Sequence, residues 1–250
     1  MTANNICAIQ ARMGSSRLPG KSLFKLGNET VIERCYKSAT YHNIFSNVVV
    51  LTSKDSADDE LSNYLEVKKI PYHRGSLNNV LSRFVDIVNK TKATNIMRLT
   101  GDNPLIDPNI IRDVLQQHLK NEAEYTSNII DRNLPRGNDV ECIKSELLIK
   151  INKKNLTDDE REHVTLYIRK NLEDYYCFEF KSKLKIRFPN VRLTLDYYED
   201  YVLIREIYKK LNLSNEVNNI ISIDNFLSQN AKLLKINSQV EQTKINKKTW

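Results

Sequence analysis

The sequence predicts an α/β fold: a mostly parallel, doubly wound central sheet with helices on both faces and an inserted arm. Three observations predict it. Strand-like and helix-like segments alternate through short links over roughly the first 120 residues, the pattern of βαβ units. Strand candidates are short β-branched runs such as Asn47–Leu51 (NVVVL), which suit a sheet covered on both faces. Beyond Tyr125 the alternation loosens, with no repeat and no flexible linker, so the later segments read as an arm on one domain spanning 1–250.

The elements follow in order. Asn5 to Gln10 is a buried strand opening into a loop rich in Gly, Ser and Pro. Val31, Ile32, Cys35, Tyr36 and Ala39 recur at helical spacing, with Asn28 as the expected cap. After the strand Asn47–Leu51, the segment Asp55–Val67 is helical, its acidic first turn favoured by the helix dipole. Ile70–His73 is a short strand, Asn79–Val88 a helix, and Ile96–Leu99 another strand. Asp107-Pro108 then starts a helix through about Leu119, Asp as N-cap and Pro at the first helical position. A loop at Asp131–Asn138, a strand at Asp139–Ile143, and helices at Ser145–Asn152 and Asp158–Lys170 come next. Strands at Tyr175–Lys181 and Val191–Asp196 lead to helices at Glu199–Leu211 and Asp224–Leu234, with a polar tail over about 236–250.

Composition excludes several functions. Forty per cent hydrophobic and 28% charged residues describe an ordinary folded chain. No apolar run approaches the ~20 residues needed to cross a bilayer, and no signal-peptide pattern opens MTANNICAIQ, so a cytoplasmic protein is expected. Cys7, Cys35, Cys142 and Cys177 are scattered without CxxC spacing, which argues against a disulfide framework or a zinc site. The net charge of +7 is local: residues 1–28 carry +4, residues 226–250 carry +4, and 29–225 sum to −1. A nucleic-acid binder would spread cations along a face with interleaved aromatics, and this chain does not.

The most informative segment is Gln10-Ala-Arg-Met-Gly-Ser-Ser-Arg-Leu-Pro-Gly-Lys-Ser22. It lies past the carboxyl end of the first strand, where an open α/β sheet binds its ligand. Gly14, Ser15 and Ser16 can offer backbone N–H groups, with Arg12, Arg17 and Lys21 around them, a combination that suits a polyphosphate. The GKS ending is not a Walker A loop: five residues separate Gly14 from Gly20 where four are required, and Pro19 removes a donor. Asp102 and Asp196 each end a predicted strand. Either could hold a cation, but a turn explains Asp102 and a helix cap explains Asp196 equally well. Asp107 is fully explained by capping.

QARMGSSRLPGKSL resembles the signature loop of the cytidylyltransferases that activate sugars as CMP derivatives, most closely the spore-coat polysaccharide group and, beyond it, the CMP-sialic-acid and KDO enzymes. Further segments match in order: Arg74-Gly-Ser76 with Asn79–Arg83, Arg98–Pro108, Pro135-Arg-Gly137 with Asp139-Val-Glu141, Arg161–Thr165, Leu193–Asp196 with Glu199-Asp200, and Ile236-Asn237 with Val240-Glu241-Gln242. The resemblance implies a nucleotide-diphospho-sugar transferase fold and transfer of CMP from CTP to an acidic or phosphorylated sugar-like acceptor, with release of pyrophosphate. It implies Mg²⁺ on Asp102 and Asp196, and catalytic roles for these two with Arg12 and Lys21. Nucleotide contacts fall on Ala11, Arg12, Gly14, Ser15, Ser16, Arg17, Lys21, Arg74, Gly75, Ser76 and Asp102. Acceptor contacts fall on Arg98, Arg136, Asp139, Glu141 and His163, with a homodimer formed through an arm around 130–190. Tyr197-Tyr198 replaces a usual Thr-Pro, Asn78-Asn79 replaces an acidic pair, and Ile143–Asp158 matches nothing specific. The alternatives are another NTP as donor, or a glycosyltransferase of the same fold. The latter would want a DxD pair, which this chain lacks.

Overall fold

The structure is a computed structural model that describes residues 4–241. Gln242 and the tail from 242 to 250 lie outside the described residues. The chain opens with β1 (Asn5–Gln10), whose loop ends in a 3₁₀ turn at Lys21–Leu23. A hairpin of β2 (Lys25–Leu26) and β3 (Glu29–Thr30) follows. Asn28 therefore sits in a hairpin turn and does not cap α1 (Val31–Thr40). Thr30 does, in a reciprocal box: its Oγ1 accepts from Glu33 N–H at 3.3 Å, and Glu33 accepts from Thr30 N–H at 2.7 Å.

β4 (Asn47–Ser53) leads through a 3₁₀ turn at Ser56–Asp58 to α2 (Asp59–Val67), then β5 (Tyr72–Gly75). The strand expected from Ile70 starts two residues later, because Ile70 finishes the helix before it. Lys69 has φ 55°, its N–H bonds Glu66 O at 3.0 Å, and Ile70 N–H bonds Leu65 O at 2.9 Å, the two bonds of a Schellman stop. α3 (Val80–Thr91) is capped by Asn79, and β6 (Asn95–Thr100) precedes α4 (Pro108–Lys120). Asp107 caps α4 as expected, accepting from Asn109 N–H at 2.8 Å, while its other oxygen accepts from Ile220 N–H at 2.9 Å.

β7 (Tyr125–Ser127) is an element the sequence pattern did not announce. β8 (Glu141–Lys144) and α5 (Ser145–Asn152) follow. The single helix expected over Asp158–Lys170 is two, α6 (Asp158–Glu162) and α7 (Leu166–Lys170), broken where Val164 adopts φ 49°. A positive φ at a β-branched residue cannot continue a right-handed helix. β9 (Cys177–Glu179) is shorter than expected. Val191–Asp196 is not a strand: it is irregular, with bends at Thr194 and Asp196 and one isolated bridge from Arg192 to Arg136. Its Leu193 N–H goes to Arg136 O and its Leu195 N–H to Asp102 O, both at 2.8 Å, so it laces two loops together instead of joining one ladder. α8 (Tyr198–Lys210) and α9 (Ile220–Gln229) follow, with a 3₁₀ turn at Ala231–Lys235 where one continuous helix through Leu234 was expected.

The sheet order is β5-β4-β1-β6-β8-β7-β9. β5, β4, β1 and β6 are parallel, β8 is antiparallel to both neighbours, and β9 is parallel to β7. Alternation along β1 sends Cys7 and Ile9 to one face, packed with Ile32, Leu65 and Ile110. Ile6 and Ala8 face the other, packed with Phe84, Leu148 and Ile168. A third apolar group joins α8 and α9 to Leu26, Leu193 and Leu195. Residues 130–190, expected as an arm, feed β8 and β9 into this sheet. The carboxyl ends of β1, β4, β5 and β6 share one edge, the ligand edge of an open parallel sheet. Among the described residues, no helix is long and apolar enough to cross a membrane.

Candidate active site

The loop after β1 is pinned before it is free. Ala11 N–H bonds Leu51 O at 3.0 Å, and Met13 N–H bonds the buried Asp58 carboxylate at 2.7 Å. Asp58 also accepts from Ser53 N–H at 3.1 Å and from the Ser53 hydroxyl, which locks the loop to the end of β4. Ser15 turns its N–H inward to Met13 O at 2.9 Å, whereas Gly14 and Ser16 are exposed. Gly20, at φ 73°, turns the chain back so that Lys21 points inward.

Lys21 is the centre of the arrangement. Its ammonium donates to Asp102 Oδ2 at 2.7 Å, to Asp196 Oδ1 at 3.0 Å and to Leu195 O at 2.7 Å. Residues distant in sequence are thereby joined: the signature loop, the end of β6 and the segment before α8. Burial alone would lower the Lys21 pKa, but Asp102 and Asp196 outweigh it and raise it. Burial would raise Asp102, and Lys21 with the Thr100 hydroxyl brings it below the ordinary carboxylate value. Thr100 Oγ1 holds Asp102 Oδ1 at 2.7 Å and is itself held by Asn103 at 2.9 Å. Arg17 donates to Asp196 Oδ1 at 2.6 Å and lies over the Tyr197 ring at 5.5 Å. The helix start does not use the Asp196 carboxylate: Asp200 takes Tyr197 N–H at 3.0 Å instead. Among the described residues, no group of three or more His, Cys, Asp or Glu is arranged to hold a metal. The pair Asp102 and Asp196 offers two hard oxygen donors facing one cationic point.

Arg12 leaves this centre and pairs with Glu162 at the end of α6, at 2.8 Å. Arg74 is bound back into the scaffold, to Ser53 O at 2.7 Å, Asp55 O at 2.9 Å and Asp59 at 2.6 Å. Gly75 is required by close approach, since a Cβ there would meet Arg83 Cγ at 2.8 Å. Arg83, almost wholly buried, braces the turn by donating to Ser76 O at 2.6 Å and Leu77 O at 3.0 Å.

Further along the edge, Arg98 pairs with the buried Glu141, which also accepts from Tyr125 OH, and Arg98 reaches Gln10 at 3.1 Å. His163 ends α6, and burial lowers its pKa, as Arg98 and Arg169 also do against Glu162 and Asp159. Asp139 is neutralised by Arg132, one bond being 3.0 Å. Arg136 is half-buried, its pKa lowered by burial and by Arg132. All four cysteines are free thiols, three of them buried. A groove of about 630 Å³ along α4, lined by Arg112, Lys120, Phe180 and Leu184, contains none of these residues.

The structure therefore brings Arg17, Lys21, Asp102 and Asp196 into direct contact, and forms a separate group of Arg98 and Glu141 with His163 within the influence of Arg98. Arg83 and Asp200 lie in segments that carry the resemblance, but no role was expected for either, and Asp58 and Arg192 were missed. Asp58 reads as an ordinary first-turn acid, and a buried arginine carries no local signature.

The cytidylyltransferase family model matches residues 6–245. The chain is 39% identical over 207 residues to the spore coat polysaccharide biosynthesis protein SpsF of Bacillus subtilis, covering 81% of this chain and 85% of that one. It is 33% identical over 237 residues to an uncharacterized protein of Methanocaldococcus jannaschii, covering 94% of each. A cytidylyltransferase structure from Leptospira borgpetersenii superposes with a TM-score of 0.86 at 28% identity, covering 98% of this chain and 100% of that one. The CTP complex of a CMP:2-keto-3-deoxy-manno-octonic acid synthetase superposes with a TM-score of 0.62 at 16% identity, covering 83% and 99%. The architecture is the nucleotide-diphospho-sugar transferase fold. With the family model spanning nearly the whole chain, the protein belongs to the cytidylyltransferase family and is a nucleotidyltransferase.

Proposed function

We propose that the chain transfers CMP from CTP to an acidic or phosphorylated sugar-like acceptor, releasing pyrophosphate, in cytoplasmic steps of surface polysaccharide or glycoconjugate assembly. The observation that carries this is Lys21 held between Asp102 and Asp196 at the sheet's ligand edge. The relative named for spore coat polysaccharide synthesis and the fold neighbour bound to CTP support the same reading. The whole chain acts as one nucleotidyltransferase unit, and two copies pair through the 130–190 segment.

The residues fit Mg²⁺, which takes one or two carboxylates and completes its shell with water and substrate phosphate. Asp102 and Asp196 would hold it, and bound there it would neutralise charge on the α-phosphate and the leaving pyrophosphate. Arg12, Arg17 and Lys21 gather the triphosphate, with Gly14, Ser15 and Ser16 of the loop curled around it. Ala11 and the Arg74-Gly75-Ser76 turn flank the base. Arg98, Arg136 and His163 receive an anionic acceptor, with Asp139 and Glu141 orienting the arginines. The acceptor hydroxyl oxygen forms the new bond to the α-phosphorus, the bond from that phosphorus to the α,β-bridging oxygen breaks so that the electron pair leaves with pyrophosphate, and the hydroxyl proton passes to solvent water. Positioning and charge stabilisation provide the rate, as general phosphoryl-transfer chemistry requires.

The test is pyrophosphate release with each of the four NTPs and a panel of acid and phosphorylated sugars, with and without Mg²⁺. Release with CTP, an acidic or phosphorylated acceptor and Mg²⁺ is expected; release with no pair would refute the reading. Asp102→Asn and Asp196→Asn should each nearly abolish turnover while the fold is kept. Near-normal turnover in either removes that residue from the site.

A further inference from the structure

Behind Asp196 lies a buried polar knot to which the chemistry above gives no task. Asp200 is fully buried. Its Oδ2 accepts from the N–H groups of Asp196 and Tyr197, each at 3.0 Å, and from Arg192 Nη2 at 3.1 Å. Its Oδ1 accepts from Arg192 Nε at 3.3 Å and from Asn237 at 2.8 Å, and Asn237 also holds Arg192 O at 2.9 Å. Arg192 Nη2 then reaches Asp196 Oδ2 at 3.3 Å. The other oxygen, Oδ1, faces Arg17 and Lys21.

A helix start needs far less than this. One carboxylate on the Tyr197 N–H would cap α8, as side chains do for other helices of this chain. The additional bonds go to the backbone of Asp196 and, through Arg192, to its carboxylate. The cations on Asp196 also differ in kind. Arg17 is a third exposed on a loop and Lys21 is a flexible ammonium, whereas Arg192 is 8% exposed and forked onto Asp200. Burial would lower the Arg192 pKa, but Asp200 and Asp196 raise it, so the guanidinium stays charged.

We infer that Arg192 and Asp200 are positioning residues for Asp196, with Asn237 as their anchor from the C-terminal segment. They fix its backbone and occupy Oδ2, so that Oδ1 is the oxygen turned toward the loop. Arg192 also remains as its positive partner when a triphosphate draws Arg17 and Lys21 away. The inference rests on the reading that Asp196 serves a divalent cation.

The experiment measures Mn²⁺ binding by electron paramagnetic resonance in the presence of a non-hydrolysable CTP analogue, together with kcat and KM for CTP and acceptor. Arg192→Met and Asp200→Asn should weaken Mn²⁺ binding and lower kcat, each by about 10–100-fold, with the KM for acceptor unchanged. Arg192→Lys, which restores charge but not the fork, should recover only part of the loss. Asp224→Asn is the structural comparison. Asp224 is a buried carboxylate holding the N–H groups of Arg187 and Phe188 at 3.0 and 3.1 Å, remote from Asp196 in the bonding network. It should cost stability while leaving Mn²⁺ affinity and kcat as they are. Loss of Mn²⁺ affinity in Asp224→Asn equal to that in the other variants would overturn the inference. Asp196→Asn separates the two claims. If it loses Mn²⁺ binding while Arg192→Met and Asp200→Asn keep it, the positioning role is wrong. If Asp196→Asn keeps it too, the cation site itself is wrong and the inference falls with it.

Discussion

Lys21→Met removes the ammonium held between two carboxylates and leaves them facing each other. Lys21 is 12% exposed, Asp102 24% and Asp196 8%, so the contacts at 2.7 and 3.0 Å are well shielded from water. Deleting one partner of a buried pair costs about 3–5 kcal/mol. Here the cost is reduced, because Asp196 keeps Arg17 and Arg192 and Asp102 keeps Thr100 and some water. A loss of about 2–3 kcal/mol at pH 7 is expected, equivalent to roughly 5–10 °C in Tm for a chain of this size. The sign of the pH effect follows from Asp102, whose pKa is lowered in the folded protein because Lys21 outweighs burial. Stability from a lowered carboxylate is present above its unfolded pKa, about 3.9, and is lost as pH falls through the folded value. The gap between wild type and variant should therefore be full at pH 7 and narrow below about pH 4. In the variant, Mn²⁺ without nucleotide should restore part of the loss, up to about 2.7 kcal/mol at 100 times its Kd. Wild type, with Lys21 in that place, should respond less. Denaturant unfolding at several pH values, with and without Mn²⁺, measures all of this. A variant within about 0.5 kcal/mol of wild type at pH 7, below the range expected for breaking a buried pair, would refute the reasoning. So would a gap that is constant down to pH 3.5.

Other expectations follow from single residues. Gly137 has φ 106°, and a Cβ there would lie 2.5 Å from the Leu193 carbonyl; Gly137→Ala should cost at least about 3 kcal/mol, read by chemical denaturation, and a near-neutral result would contradict the close approach. Asp58→Asn places an amide where Met13 and Ser53 both donate. It should cost about 1–3 kcal/mol and raise the KM for CTP several-fold, with an unchanged KM counting against Asp58 as the anchor of the loop. His118 is held between Thr126 and Asn95 at 2.9 and 3.1 Å, and burial with Lys144 lowers its pKa from 6.5 to about 4. The unfolded chain thus binds the extra proton first, and the stability His118 contributes falls as pH drops from about 6.5 toward 4. Between pH 7 and 4.5 this amounts to about 2–3 kcal/mol; parallel pH profiles for wild type and His118→Gln would exclude it.

The parallel half of the fold was legible because each of its elements carries a local reason. The β-branched run at Asn47–Leu51 and the Asp107-Pro108 start are complete signals in themselves. Where elements moved, a non-local or conformational term decided. Ile70 looked like the start of a strand and closes a helix, because Lys69 accepts a left-handed φ. The helix break at Val164 is a strained turn with no Gly or Pro to advertise it. Val191–Asp196 has strand composition, but its Leu193 and Leu195 N–H groups are claimed by Arg136 and Asp102, and that of Asp196 by the Asp200 carboxylate. Within the site, the charged residues of the loop and Asp102 were readable from their places at strand ends, whereas Asp196 was placed at the end of an expected strand that does not form, and the resemblance is what singled out both aspartates. Their meeting at Lys21 was not readable, since it depends on segments more than 80 and 170 residues away. Asp200 and Arg192 were hidden for the same reason: burial makes them matter, and burial is a tertiary property.

One feature of the sheet has reach beyond stability. β8 enters between β6 and β7 against their direction, so Glu141, its first residue, meets Arg98 near the exit of β6. Every other strand of the sheet ends along the ligand edge, β7 at Ser127 and β9 at Glu179 included, and β8 begins there. The chain feeding Glu141 arrives from outside the sheet, and the seam itself is a ladder of only four paired residues. That incoming stretch is tied to loops, Arg136 O to Leu193 N–H at 2.8 Å and Asn138 Oδ1 to Asp107 N–H at 2.9 Å, whereas the Gln10–Thr100 register sets the spacing between the signature loop and Asp102. The topology thus gives the edge two kinds of support: a strand ladder under the signature loop and Asp102, and loop-to-loop bonds beside Glu141.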